Sequence, residues 1–294
     1  MTHMQYEITS NEASAVVGLK GAMLNSLKKN DTEYLWQGDE EHWSGQAPVC
    51  FPIVGVLRDS KGTAFGKPCE MKRHGIARIS PFELFEKHKN SVTFIQKSSD
   101  ETKKQYPFDY ELKIKYTING STVTNEYIIT NTGSSPMPFV IGGHPAFNCP
   151  LCDGEVFEDY KVVFDRAMTK SALRPDHHSG LVDVEKRYQV LENSDTINLV
   201  HDLFEEKDAL IFDNIDSKCA TLIGPNGKGV KIEYQDMTNL LVWSACGNAD
   251  FVALEPWTGI STCSDEDEKI ENKRGMTILQ PDETASFKFK ITMI

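Results

Sequence analysis

Tyr110-Glu111-Leu112-Lys113-Ile114-Lys115-Tyr116-Thr117-Ile118-Asn119-Gly120 decides the fold class. Tyr110, Leu112, Ile114, Tyr116 and Ile118 alternate strictly with Glu111, Lys113, Lys115 and Thr117. Successive side chains of a strand point to opposite faces, so this period of two makes one apolar and one wet face. Asn119-Gly120 then offers a turn of the primed hairpin types, whose twist matches that of the strands. Val123, Tyr127 and Ile129 return on the same period. The segment predicts a hairpin with one buried face.

The same pattern extends in both directions. Phe287, Phe289, Ile291 and Met293 alternate with Lys288, Lys290 and Thr292 and predict a terminal strand. Shorter runs occupy residues 4–9, 15–19, 82–86, 92–96, 160–164, 219–223, 230–234, 240–244 and 251–254. Turn residues separate many of them, as in Asn131-Thr132-Gly133, Gly224-Pro225-Asn226-Gly227 and Pro281-Asp282-Glu283. Residues 197–206 read as a short helix, with Asp195 or Asn193 as its cap. Many short strands without intervening helices predict an all-β sandwich or barrel. No low-complexity linker divides the chain, so residues 1–294 read as a single domain.

Bulk properties exclude several functions. Apolar residues make up 39% of the 294 positions and charged residues 25%, an ordinary globular composition. The formal net charge of −12 repels nucleic acid. No apolar run approaches the roughly 18 residues of a membrane span. Met1-Thr2-His3-Met4-Gln5 lacks the basic start and apolar stretch of a secretory signal. The seven cysteines are scattered apart from Cys149-Pro150-Leu151-Cys152. One such pair cannot complete a four-ligand zinc site, and the odd count fits reduced thiols in a cytoplasmic protein. The acidic run Asp265-Glu266-Asp267-Glu268 is followed by Lys269, Lys273 and Arg274 and reads as a solvated loop.

Three residues stand out chemically. Glu255 ends the apolar run Phe251-Val252-Ala253-Leu254 and precedes Pro256-Trp257. A carboxylate there is costly to bury without a partner, and Trp257 offers a flat apolar face to a ligand. His144 follows Gly142-Gly143 and precedes Pro145, a context that lifts a side chain out of a sheet. Its bland alternative is a structural histidine. His74 precedes Gly75, which permits close approach to the imidazole; its bland alternative is a turn histidine bonded to backbone. A carboxylate with an imidazole suits paired general base and general acid work. Trp257 and Phe147 are candidates for stacking on a sugar. Neither H-E-x-x-H nor G-x-S-x-G occurs, and no nucleotide-binding glycine loop is present.

These residues occur in the order of a known family. Phe51-Pro52-Ile53-Val54-Gly55, His74-Gly75-Ile76-Ala77-Arg78, Gly143-His144-Pro145-Ala146-Phe147-Asn148 and Leu254-Glu255-Pro256-Trp257-Thr258-Gly259 together resemble aldose 1-epimerases, the galactose mutarotases. The match is nearest to their LacX-like branch. The resemblance implies a large twisted antiparallel β-sandwich with a monosaccharide in a cleft across one sheet. It implies Glu255 as general base, His144 as general acid and His74 as a substrate-binding histidine, without metal or organic cofactor. The substrate would be a hexose such as galactose or glucose, and the protein a monomer or homodimer. Two positions depart from the family pattern. Its arginine after the early glycine is replaced by Val56, with Arg58 two residues on. On a strand Arg58 would share that face, displaced by about 7 Å. Asp208 matches the family's substrate-binding aspartate, with Asp213 as competitor. Two other readings stay open. One is a hexose-6-phosphate 1-epimerase using Arg58, Lys72, Arg73 or Arg78 for the phosphate. The other is a sugar-binding protein of the same fold without turnover.

Overall fold

The computed structural model describes residues 4–176, 178–205 and 208–294. The reading of residues 1–3 and the end of the expected helix at 206 fall outside them. The hairpin forms as its period requires. Tyr110–Asn119 pairs antiparallel with Thr122–Asn131, from Tyr110 opposite Asn131 to Asn119 opposite Thr122. The turn is displaced by one residue from Asn119-Gly120. Gly120 and Ser121 form the loop, and of the two only Gly120 has a positive φ, 55°. That is the signature of a turn with glycine at its first central position.

This hairpin lies within a nine-stranded antiparallel sheet. In spatial order its strands are Tyr188–Asn198, Lys161–Ala172, Cys219–Ile223, Gly229–Glu233, Thr284–Met293, Thr122–Asn131, Tyr110–Asn119, Ser91–Lys97 and Glu83–Lys87. The N-terminal strands form a separate four-stranded sheet. The helix expected over 197–206 shrinks to Asp202–Glu205, because Ile197 continues the strand ending at Asn198 and pairs with Val162. Cross-strand pairing of a buried isoleucine outweighs weak local helix preference.

A six-stranded sheet carries the site. Phe251–Trp257 is its central element and is buried throughout. It pairs with Asn239–Trp243 on one side and with Gly142–Gly143 and Ala146–Asn148 on the other. Val252 and Leu254 join the main apolar core with Tyr127, Phe289 and Ile291 of the large sheet. Glu255 and Trp257, of opposite parity to those two, look the other way. This core is continuous from Ile8 to Met293.

Gly142 and Gly143 serve one face each. A Cβ on Gly142 would lie 2.1 Å from Trp257 Cδ1, and one on Gly143 would lie 2.6 Å from Phe289 Cζ. The pair is therefore explained by close packing on both faces, since neither residue has a positive φ. Gly142→Ala is expected to destabilise the fold by about 1–3 kcal/mol through overpacking. Urea unfolding would measure it, and an altered Trp257 environment in fluorescence should accompany it.

Candidate active site

Sheet register assembles the first wall. Ile211 sits opposite Leu241, and Leu241 opposite Glu255. Directly opposed residues share a face, so the three form one row across the sheet. Trp257 lies in the next row beside Gly142, and its Nε1–H donates to the Gly143 carbonyl at 3.1 Å. Ile211, Leu241, Glu255 and Trp257 all line a cavity of about 300 Å³. That is the lower end of the range for small-molecule sites.

His144 enters from the strand end after the glycines. Its backbone N–H donates to the Pro48 carbonyl at 3.1 Å. Its Nε2 lies 3.2 Å from Glu255 Oε2. Trp43 stacks on the imidazole with ring centres 5.0 Å apart, while Trp243 and His74 each meet it edge-on at 5.3 Å. The ring is thus held by aromatic contacts and leaves Nε2 facing the carboxyl.

His74 is set by backbone geometry. Its φ is 65° and the following Gly75 has a φ of 70°. A Cβ on Gly75 would fall 2.3 Å from the Phe51 carbonyl oxygen, so only glycine fits there. The His74 N–H donates to the Gly55 carbonyl at 2.7 Å, and the Gly55 N–H donates back to His74 Nδ1 at 3.2 Å. Nδ1 is therefore an acceptor, and the neutral ring carries its proton on Nε2.

Burial sets the electrostatics. It pushes the Glu255 carboxyl well above the usual carboxylate range; nearby Asp208 adds to this and Arg73 opposes it. Burial lowers His144 to about 3, opposed by an interaction with its own backbone, and Arg73 and Arg78 also disfavour its cation. Burial, His144 and both arginines hold His74 well below the ordinary histidine value. The 3.2 Å contact is accordingly a carboxyl beside a neutral imidazole, with one proton on the pair and no aligned hydrogen bond to Glu255 Oε2.

The other candidates divide. Asp208 lines the cavity, whereas Asp213 is occupied by both terminal nitrogens of Arg187 at 2.9 and 2.8 Å. Arg58 does not reach the cavity. Residues Arg58–Ser60 form a tight turn with positive φ at Asp59 and Ser60 rather than a strand, so the same-face argument fails. Its Nη2 donates instead to the carbonyls of Cys263, Ser264 and Glu266 at 3.1–3.4 Å. Phe147 is also corrected. It sits opposite Val252 and is fully buried in the main core, on the face away from Glu255. Lys72 is exposed and is not part of the lining, but Arg73 and Arg78 are. Among the described residues neither arginine has an acidic partner within ion-pair distance.

A model of the aldose 1-epimerase family matches residues 4–292. The chain belongs to this family. It is 39% identical to the plasmid-encoded protein LacX of Lactococcus lactis subsp. lactis over 284 residues, 93% of this chain and 94% of that protein. Among solved structures it is similar to a galactose mutarotase related enzyme from Lactobacillus acidophilus, with 32% identity and a TM-score of 0.93 over 99% of this chain and 97% of that one. A galactose mutarotase-like protein from Lactobacillus casei ATCC 334 gives 28% identity and a TM-score of 0.91, covering 99% and 100% of the two chains. A putative aldose 1-epimerase from Escherichia coli K12 matches with a TM-score of 0.79 at 14% identity and so shares the fold. The fold is the galactose mutarotase-like sandwich.

Sequence reasoning passed over Trp43 and Trp243. Trp243 was accessible through register, because it pairs with Ala253, two residues before Glu255 on the same face. Trp43 lies in a loop that carries no periodic signal. The raised Glu255 value fixes a sign for stability. A buried acid loses folding stability as pH rises toward its elevated folded value, whereas an amide does not. Glu255→Gln is therefore expected to unfold at higher denaturant than wild type. The gain, about 0.5–2 kcal/mol, should grow with pH and shrink in acid, as urea titrations at several pH values would show.

Proposed function

We propose that the protein is an aldose 1-epimerase, a cofactor-independent isomerase interconverting the α and β anomers of a hexose, and that it works as a single domain. The observation that carries this reading is the Glu255–His144 contact of 3.2 Å within a tryptophan-lined cavity. A cyclic sugar presents two oxygens on its anomeric carbon, the O1 hydroxyl and the ring oxygen. Glu255 as carboxylate takes the O1 proton while His144 as imidazolium protonates the ring oxygen. The bond from C1 to the ring oxygen breaks and leaves a free aldehyde. Rotation about C1–C2 exposes the other carbonyl face, and the same protons return as the ring closes.

The pair needs one proton in total at each stage. With the proton on Glu255 and His144 neutral, the pair is in the state that accompanies the open aldehyde. With the proton on His144 it is ready for the cyclic sugar, and the contact distance allows transfer between the two. Sugar hydroxyls entering the cavity, together with Arg73, favour the carboxylate. Trp43, Trp243 and Trp257 supply apolar faces for the sugar C–H groups, and His74 directs its Nε2–H as a donor. Asp208, also in the lining, accepts from a hydroxyl.

A second reading is favoured by a specific feature, the two cavity arginines, which have no acidic partner among the described residues. Arg73 and Arg78 would suit an aldose bearing a phosphate or other anionic group.

Exchange NMR or polarimetry on a panel of aldoses tests the activity. Glu255→Gln and His144→Gln should each lower kcat about 10²–10⁴-fold, with sugar affinity retained. A wild type that binds sugar without accelerating interconversion would make the protein a binder. Arg78→Ala should raise KM for an anionic aldose about 10–100-fold and leave KM for a neutral one nearly unchanged. Equal effects on both would sink the second reading.

A further inference from the structure

Behind His144, on the side away from the sugar cavity, lies a second and much smaller space. Its volume is about 10 Å³, and Asn125, Tyr127, Gly143 and His144 are among its lining residues. Two of its lining residues each have a polar side-chain atom without a hydrogen-bond partner. Asn125 Oδ1 and His144 Nδ1 are both buried and make no hydrogen bond. Asn125 is only 2% exposed and sits on the inward face of the Thr122–Asn131 strand, between Val123 and Tyr127. The other buried asparagine on that face, Asn131 at the strand end, is satisfied, its side-chain amide donating to the carbonyls of Ser135 and Leu279. An asparagine there costs stability unless its amide is satisfied.

We infer that one buried water fills this space and joins His144 Nδ1 to the Asn125 side chain, making Asn125 a positioning residue for the acid of the proposed reaction. A cavity of roughly 10–15 Å³ with two or more polar partners is the requirement for holding one water, and this one meets it. Tyr127 supplies a third polar group, with its hydroxyl close against Gly143. Tyr116, the other tyrosine in the lining, is already committed to the Ala22 carbonyl at 2.7 Å. The water receives the Nδ1–H of His144 and donates to Asn125 Oδ1. The protonated Glu255 carboxyl, 3.2 Å from Nε2, needs that nitrogen as an acceptor and so selects the Nδ1–H tautomer, whose proton the water accepts from behind. When Nε2 takes a proton, Nδ1 remains a donor to the same water and nothing behind the ring rearranges. The amide carbonyl does not titrate, so it orients the ring without adding charge to the site.

The role of Asn125 rests on the epimerase reading, but the water and the tautomer do not. The groups facing His144 are Glu255 from its own sheet, His74, Arg73 and Arg78 from the loop beside it, and Tyr116 and Tyr127 from behind. Long-range ¹H–¹⁵N spectra of histidine-labelled protein without sugar read the tautomer directly. Wild type should show His144 as Nδ1–H. Asn125→Leu should shift the ring toward Nε2–H, lower kcat about 10-fold with KM unchanged, and move the acidic limb of the kcat–pH profile. Tyr127→Phe removes one oxygen and keeps the ring packing; it should produce a smaller change of the same sign and covers the case in which the leucine variant does not fold. An Nε2–H tautomer in wild type, or an unchanged tautomer and pH profile in a folded variant, would overturn the inference. A wild type showing the Nδ1–H tautomer but no turnover would uphold the water and refute the epimerase reading.

Discussion

A carboxyl and an imidazole removed from water beside one another are most stable when they hold a single proton and no net charge. Glu255 and His144 meet this condition at 3.2 Å, and much of the local architecture maintains it. Trp43 and Trp243 shield the imidazole from bulk solvent on the cavity side. The buried strand from Phe251 to Trp257 does the same for the carboxyl. In a low-dielectric setting small displacements of either group change proton affinities by large amounts.

Much of the fold was legible because a period of two with turn residues is a direct statement about faces. The hairpin, the terminal strand and most short runs formed within a few residues of their expected bounds. Glu255, His144 and His74 could be singled out because each breaks a local pattern: a charge after an apolar run, a histidine after two glycines, a histidine before one. Asn125 breaks a pattern in the same way, since it is a polar residue between Val123 and Tyr127 on the inward face of its strand, but it carries no reactive group to draw notice.

The errors share a cause. Arg58 and Phe147 were placed by their distance along the chain from a motif, and each needed information held by other strands. Arg58 lies in a turn rather than on a strand, and its guanidinium is claimed by carbonyls more than two hundred residues later. Phe147 obeys the period of two, which turns it to the core when Ala146 faces the site side. Trp43 reaches His144 from a loop about one hundred residues away in sequence, and only the assembled fold brings them together.

The neutral pair has one more consequence under the proposed reaction. The sugar enters without formal charge, the two groups exchange protons with it, and the sum of charges inside the cavity stays the same from the cyclic form through the open aldehyde and back. No counterion has to be drawn in or expelled as the chemistry proceeds. Dissolved salt can screen Arg73 and Arg78 during the approach of a ligand, but it has little to act on once the ring is in place. The bond-breaking step should therefore be nearly indifferent to ionic strength, even in a protein whose surface carries a large negative excess.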